Sequence, residues 1–266
     1  TATMIGEKIN DNNNDRKSID REITQEALEM VQNGSALSTD AATIVYNPTW
    51  NKGVVGIVAS RLVEAFYKPT IVLTKSNGFI TGSARSVAGF DLYEAIESCA
   101  DLLENFGGHV YAAGLTLKEG NLEEFVGRID KFIAGKITEE MLTPMTDIDA
   151  KLEFSQITPK FFRLLKQFQP FGPGNTNPVF LTENVSDGGN GRKVGAGGVH
   201  MKLDLIDEKQ PFHQIPAIAF NMAEFYDYIK AGNPFDICYS IVENYYRGNT
   251  TLQLRIKDIK ERDEFI

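Results

Sequence analysis

Histidine and cysteine are scarce in this sequence. Its 266 residues include three histidines and two cysteines. Cys99 and Cys238 stand far apart and match no zinc-ligand spacing, which excludes a thiolate zinc site. They read instead as buried thiols of a reducing compartment, so the expected location is the cytoplasm. His200 and His213 fall on expected strands without acidic neighbours at ligand spacing, which argues against a metal centre there. No apolar run is long enough to cross a bilayer, so no membrane association is expected. Met4 to Arg21 is polar and rich in Asn and Asp, unlike a signal peptide. An excess of positive charge is missing too: the formal net charge is −9 at pH 7. That balance counts weakly against a nucleic-acid binder. The deficit is unevenly placed. Residues 1–150 hold 13 Lys and Arg against 22 Asp and Glu, while residues 151–266 hold 14 of each. Local basic grooves stay open in either part, because net charge describes only the average field.

What is present is the composition of a folded protein, with 42% hydrophobic residues. The length suits one large domain or two ordinary ones. Residues 15–32 read as an amphipathic helix that stops near Asn33-Gly34, with Ile19, Ile23, Ala27, Leu28 and Val31 at helical spacing. So polar a helix makes a poor start for a core, and it reads as a connector from something upstream. Beyond it, elements alternate. Thr43 to Tyr46 reads as a strand, Val54 to Tyr67 as a helix stopped by Pro69, and Thr70 to Thr74 as a strand. Asn77-Gly78 marks a turn before a strand over Phe79 to Ala84. Asp91 and Glu94 make a capping-box pattern for a helix running to Phe106. A strand over Tyr111 to Leu117 and a helix over Leu122 to Ile133 follow. Such alternation predicts an α/β domain with a mixed sheet.

The pattern changes near Thr143-Pro144. Thr158 and Pro159 have the order of an N-cap and a first helical residue, opening a helix to Phe168. Strand-like runs then dominate: Val179 to Val185, His200 to Ile206, Gln214 to Phe220, Phe235 to Val242 and Thr251 to Ile259. One helical insertion, Met222 to Lys230, interrupts them. Five strands with one helix predict a mainly β, OB-like barrel. Gly188 to Gly198 reads as a glycine-rich hairpin loop and Arg247-Gly248-Asn249 as a tighter one; the former lacks the end of a phosphate-binding P-loop.

Four segments carry the chemical signal. The first is Gly53 to Leu62, G-V-V-G-I-V-A-S-R-L; the second is Gly82 to Ser86, G-S-A-R-S. The third is Phe106 to Gly114, F-G-G-H-V-Y-A-A-G; the fourth is Pro170 to Asn175, P-F-G-P-G-N. Gly107-Gly108 before His109 is open to two readings, a helix C-cap or a bare backbone that admits an anion beside an imidazole. Arg85 is either a surface ion-pair partner or a fork for a phosphate, with Ser83 adding a hydroxyl. Arg61 sits on a helix with one apolar side and reads as solvent-facing or locally paired.

In that order the four segments resemble the RecJ family of the DHH phosphoesterase superfamily, over nearly the whole chain. The resemblance implies the end of an interdomain linker helix over 1–37, a DHH-associated domain over 38–143 and an OB-fold nucleic-acid-binding domain over 144–266. It implies a metal-dependent 5′-to-3′ exonuclease of single-stranded DNA in repair and recombination. It implies Mn2+ or Mg2+ in the full-length enzyme, held by a DHH domain. No Asp-His-His triplet occurs in this sequence, so a fragment without cofactor and without activity by itself is expected. By the same resemblance, Gly107, Gly108 and His109 meet the substrate phosphate, His109 in a supporting catalytic role. Ser83 and Arg85 bind phosphate near the 5′ end, and Gly82 is needed for close approach at that turn. The chain departs from the family at Asn51, where the family often has His. Arg61, Tyr245, Tyr246 and Arg247 are candidate nucleic-acid contacts, and Phe220, Tyr239, Tyr245 and Tyr246 candidate stacking surfaces. Expected partners are single-stranded DNA, a single-strand-binding protein and a helicase, with the chain a monomer. Two other functions compete: a phosphoesterase of nano-RNA or cyclic dinucleotides, and a non-catalytic scaffold module for protein partners.

Overall fold

The computed structural model describes residues 2–37, 41–172, 174–207 and 210–262, which fall into two compact units, Thr1–Pro144 and Met145–Ile266. The first unit opens with α1 (Ala2–Gln32), which starts well before the residue 15 expected from spacing and ends at Asn33-Gly34. Next come β1 (Thr43–Tyr46), α2 (Val55–Phe66), β2 (Thr70–Ser76) and β3 (Phe79–Arg85). Then follow α3 (Leu92–Glu97), β4 (Leu103–His109), β5 (Ala112–Leu117) and α4 (Leu122–Lys136). The sheet order is β1-β2-β3-β5-β4, with only β1–β2 parallel. It is the mixed sheet that the alternation predicts.

Strand alternation sorts this sheet into two faces. On one, Ile71, Leu73, Ile80, Leu115 and Leu117 bury against α3 and α4 through Leu92, Ile96, Phe125 and Ile129. On the other, Val45 and Val72 are covered by α2 and α1 through Val58, Leu62, Ile23 and Ala27. Fully burying an aliphatic side chain of this size contributes about 1.5–3 kcal/mol. Apart from Phe79 at the start of β3, the rest of that second face, on β3, β5 and β4, is small or polar.

The helix expected from Asp91 to Phe106 is much shorter. Asp91 does cap it, its side chain accepting from the Glu94 N–H at 3.0 Å. The helix ends at Glu97, a 3-10 turn spans Ala100–Leu102, and Leu103–His109 joins the sheet as β4. The apolar spacing through this stretch fits a helix. Pairing of Phe106 with Leu115 and of Gly107 with Gly114 overrides it, because a strand can add to the open edge of β5.

The second unit contains β6 (Ala150–Lys151), α5 (Pro159–Leu165), β7 (Phe180–Asp187), β8 (Arg192–Val194) and β9 (His200–Asp207). It continues with β10 (Gln210–Ala219), α6 (Tyr226–Lys230), β11 (Phe235–Tyr246) and β12 (Asn249–Glu261). Strands β7-β11-β12-β10-β9 run in order, and β9 pairs back onto β7. The sheet thus closes into a five-stranded barrel with β10 and β12 parallel, the OB-like barrel predicted. Thr158 caps α5 by accepting from the Phe161 N–H at 3.1 Å, with Pro159 at the first helical position. Short β6 and β8 escape the sequence reading; β8 lies inside the glycine-rich loop, too short to show alternation. The insertion over Met222 to Lys230 splits into a 3-10 turn, Ala223–Phe225, and α6.

Cys99 is buried, as expected, whereas Cys238 is only half-buried; both thiols are free. Among the described residues no helix is long and apolar enough to cross a membrane.

Tyr239 lies wholly inside the barrel, its hydroxyl 2.8 Å from the Thr182 hydroxyl. Burial pushes its phenol up to about 12. The folded state therefore holds the proton more tightly than the unfolded chain. The stabilisation this gives is complete below about pH 10, the unfolded value, and is lost as pH rises through about 12. Tyr239→Phe should cost about 1 kcal/mol at neutral pH through the lost hydrogen bond. Urea titrations of both proteins should show this gap closing in alkali; a gap constant through that range refutes the assignment.

Candidate functional site

The uncovered part of the first unit's sheet brings the sequence-selected residues onto one surface. Register sets their rows. Ser83 lies opposite Gly114, and Gly114 opposite Gly107; Arg85 lies opposite Ala112, and Ala112 opposite His109. Directly paired residues share a face, so Ser83, Arg85 and His109 surround two side-chain-free positions. Gly107 and Gly114 are exposed. A Cβ at Gly107 would meet nothing within 4 Å, and one at Gly114 only the Gly82 carbonyl oxygen at 3.8 Å. Their lack of side chains answers no crowding inside the protein. It leaves a flat floor of bare backbone.

Gly108 is different. Its φ is +156°, and a Cβ there would stand 2.3 Å from the Ala112 carbonyl oxygen and 2.5 Å from the Ala113 Cα. The helix-cap reading of the tripeptide is thereby corrected: Gly107 and Gly108 are strand residues, and Gly108 serves the close approach of β4 to β5. Gly82 is likewise no turn residue. It sits mid-strand in β3, where a Cβ would strike a Leu73 methyl at 2.5 Å and the Val72 carbonyl oxygen at 2.8 Å.

Arg85 is half-buried. Its Nη1 donates to the Ser83 Oγ at 2.9 Å and to the Ala84 carbonyl at 2.8 Å. Among the described residues no carboxylate pairs with it, and its Nε and Nη2 carry no protein acceptor. Burial alone pulls its pKa below the usual arginine value. A half-buried cation without a counter-charge is costly, and the free Nε–Nη2 edge is the fork that takes two oxygens of a phosphate or carboxylate. At the other side of the floor, the Tyr111 N–H donates to His109 Nδ1 at 3.3 Å. The proton of the neutral ring then sits on Nε2, which is a hydrogen-bond donor. The floor therefore offers a guanidinium edge, a hydroxyl and an imidazole N–H around bare backbone, which is the chemistry of an anion cradle.

The structure gives the remaining candidates different settings. Arg61 pairs with Asp20 of α1 at 2.6 Å, so its charge is met within its own unit. Asn51 accepts from the Gly53 N–H at 2.8 Å and shapes the turn leading to α2. In the second unit, Tyr245 and Tyr246 are 74% and 63% exposed at the tip of the β11–β12 hairpin. The Arg247 guanidinium lies 5.2 Å over the Tyr246 ring. Tyr239, being wholly buried, cannot stack on a base, which corrects that candidate. Phe220 is exposed, with the His200 ring 5.2 Å away edge-on and the Arg255 guanidinium 5.2 Å over it.

Sequence reasoning assigned no role to Gly56, Gly114, His200 or Arg255 at these surfaces. Gly56 and Gly114 lie within the motif runs, so a glycine count could have flagged them. The cluster of His200, Phe220 and Arg255 draws on separate strands and leaves no local signal. Among the described residues no group of three or more His, Cys, Asp or Glu side chains could hold a metal.

Comparison with known proteins places the two units separately. The DHHA1 domain family matches residues 39–135, and the RecJ OB domain family matches residues 148–258. The single-stranded-DNA-specific exonuclease RecJ of Bacillus subtilis (strain 168) is 35% identical over 261 residues, 97% of this chain and 32% of that protein. The Haemophilus influenzae protein of that name is 30% identical over 261 residues, 95% of this chain and 44% of its own length. The chain thus spans 32% and 44% of the length of these two relatives, less than half of each. In fold it is similar to the crystal structure of RecJ in complex with Mg2+ from Thermus thermophilus, with a TM-score of 0.72 at 24% identity. That likeness covers 94% of this chain and 36% of the solved one.

The two adjacent glycines should respond oppositely to a methyl group. Gly108→Ala should destabilise the protein by about 2–4 kcal/mol, since backbone rather than a movable side chain stands in the way. Gly107→Ala should stay within about 1 kcal/mol of wild type in the same denaturant titration. Equal costs at both positions would refute the division of labour.

Proposed function

A chain built of a DHHA1 domain followed by a RecJ OB domain belongs to the RecJ family, and from that premise we propose that it is the substrate-holding part of a single-stranded-DNA-specific 5′-to-3′ exonuclease. The observation that carries this reading is Arg85, a half-buried guanidinium with a free fork beside an exposed floor of bare backbone. A nucleic-acid phosphate supplies the missing negative charge. Arg85 would clamp two of its oxygens, Ser83 would donate its hydroxyl, and His109 Nε2–H would supply a further donor. Gly107 and Gly114 would let the sugar-phosphate backbone lie against the sheet.

The barrel supports the same reading from its own side. In OB-folds, oligonucleotides lie on the second and third strands and on the loops joining strands one to two and four to five. Here those strands are β9 and β10, which carry His200 and lead to Phe220. The loops are the glycine-rich segment over 188–198 and the hairpin tip with Tyr245, Tyr246 and Arg247. Exposed aromatic faces backed by guanidinium groups suit stacked, unpaired bases. A phosphoesterase of dinucleotides has no use for such a surface, which favours the longer substrate.

RecJ from Thermus thermophilus has been crystallised with Mg2+ and with Mn2+. A divalent metal in such an enzyme would supply Lewis-acid polarisation of the phosphate and activation of a water. The described residues here do not fit a metal site. On this reading the chain's part is to bind and orient the strand rather than to cleave it by itself. In the cell the reading implies a cytoplasmic, monomeric enzyme of DNA repair and recombination that works beside a single-strand-binding protein and a helicase.

Affinity for a single-stranded oligonucleotide should fall steeply with added salt. Arg85→Ala should weaken binding roughly tenfold and lower the salt slope by about one. A salt-independent affinity that Arg85→Ala leaves untouched would instead favour a protein-binding scaffold. Replacing Tyr245 and Tyr246 by Ala should each cost about 1–3 kcal/mol of binding. With Mn2+ added, the purified chain should release no nucleotides; release that His109→Ala abolishes would overturn the reading of an inactive part.

A further inference from the structure

The free edge of Arg85 depends on a residue outside the sheet. Gly56 lies in the first turn of α2, where the helix abuts β3. A Cβ at this position would stand 3.0 Å from Arg85 Nη2 and 3.2 Å from Ser83 Oγ. An oxygen accepting from a guanidinium N–H sits about 2.7–2.9 Å from the nitrogen. A methyl group on Gly56 would therefore occupy space that a ligand oxygen needs beside Nη2. It would also press on the two side chains that hold each other through the Arg85–Ser83 hydrogen bond. The backbone conformation makes no demand for glycine here. Unlike Gly108, Gly56 carries no left-handed φ, and alanine is the better residue inside a helix.

We infer that Gly56 is a positioning residue of the anion cradle: it keeps Nη2 of Arg85 open and lets the Arg85–Ser83 pair settle against the start of α2. This rests on the reading of Arg85 as a phosphate fork, and it adds a wall to that site from a helix rather than from the sheet. The obstruction falls on the far end of a flexible side chain. Gly56→Ala therefore folds, and the guanidinium moves aside instead of the backbone.

The test pairs Gly56→Ala with Arg85→Ala and the double variant. It measures unfolding midpoints, affinity for a 5′-phosphorylated single-stranded oligonucleotide, and the NMR resonance of the Arg85 Nε–H. Gly56→Ala should keep or raise the midpoint, shift the Arg85 resonance and weaken binding roughly tenfold, the loss of one guanidinium contact. The double variant should bind no more weakly than Arg85→Ala, because the methyl acts only through that fork. An unshifted resonance overturns the inference, and so does wild-type binding by Gly56→Ala where Arg85→Ala is impaired. If Arg85→Ala binds at wild-type strength while the resonance still shifts, the phosphate reading fails and the positioning of Arg85 by Gly56 stands.

Discussion

The close approach of β4 to β5 at Gly108 is the constraint on which the rest of the first unit's site depends. The Ala112 carbonyl and the Ala113 backbone fill the space where any larger residue would put its Cβ. Because β4 can lie that close, the register continues to His109 and sets its imidazole in the row of Ala112 and Arg85. The turn that follows is tied down as well. Ser86 N–H donates to the Tyr111 carbonyl, and Leu92 N–H to the Val110 carbonyl. One glycine thus lets an edge strand join the sheet, and the edge strand supplies the imidazole and half of the bare floor.

Three arginines of the first unit differ in how their charge is met. Arg61 has Asp20, and Arg128 holds both oxygens of Asp101, at 2.8 and 3.0 Å. Residues 1–150 carry more acidic than basic side chains, so carboxylates are plentiful. Arg85 nevertheless sits half-buried with only neutral oxygens around it. A surplus of acid elsewhere and none here leaves the Arg85 charge without a protein counter-charge among the described residues. In the barrel, a carboxylate does structural work of a different kind. Asp187 accepts from the N–H groups of Gly189, Gly191 and Asp204 at 2.8–3.1 Å and so shapes the glycine-rich loop beside β9.

Much of this was legible in the residue pattern because it rests on local physics. The strand at Thr43–Tyr46, the helix stopped before Pro69, the Asn77-Gly78 turn and the Thr158-Pro159 helix start follow from periodicity, backbone freedom and capping. Both residues of that turn adopt positive φ, as its composition demands. The failures were also physical. Leu92, Ile96 and Phe106 are spaced for one helix face, but strand pairing with β5 took Phe106 into the sheet. Tyr239 lies between half-buried Cys238 and buried Ser240, so burial does not alternate around it, and only the closed barrel reveals which way it points. Gly107 and Gly108 are chemically identical neighbours. One is open floor and the other a packed contact, because successive strand residues face opposite sides.

Residue order alone specifies most element types, the barrel-like second half and the motif succession that marks the family. Each of these is written in short-range spacing, glycine and proline placement, or identity of residues in a run. Which side chains face one another is fixed only on folding. Ser83, Arg85, His109 and Gly56 come from three segments of the chain, and strand register and helix packing bring them to one surface. That Arg85 lacks a counter-charge, whereas Arg61 has one, depends on what lies across space from each guanidinium. Coulomb attraction and steric exclusion act between neighbours in space, and a linear sequence does not specify those neighbours until the chain has folded.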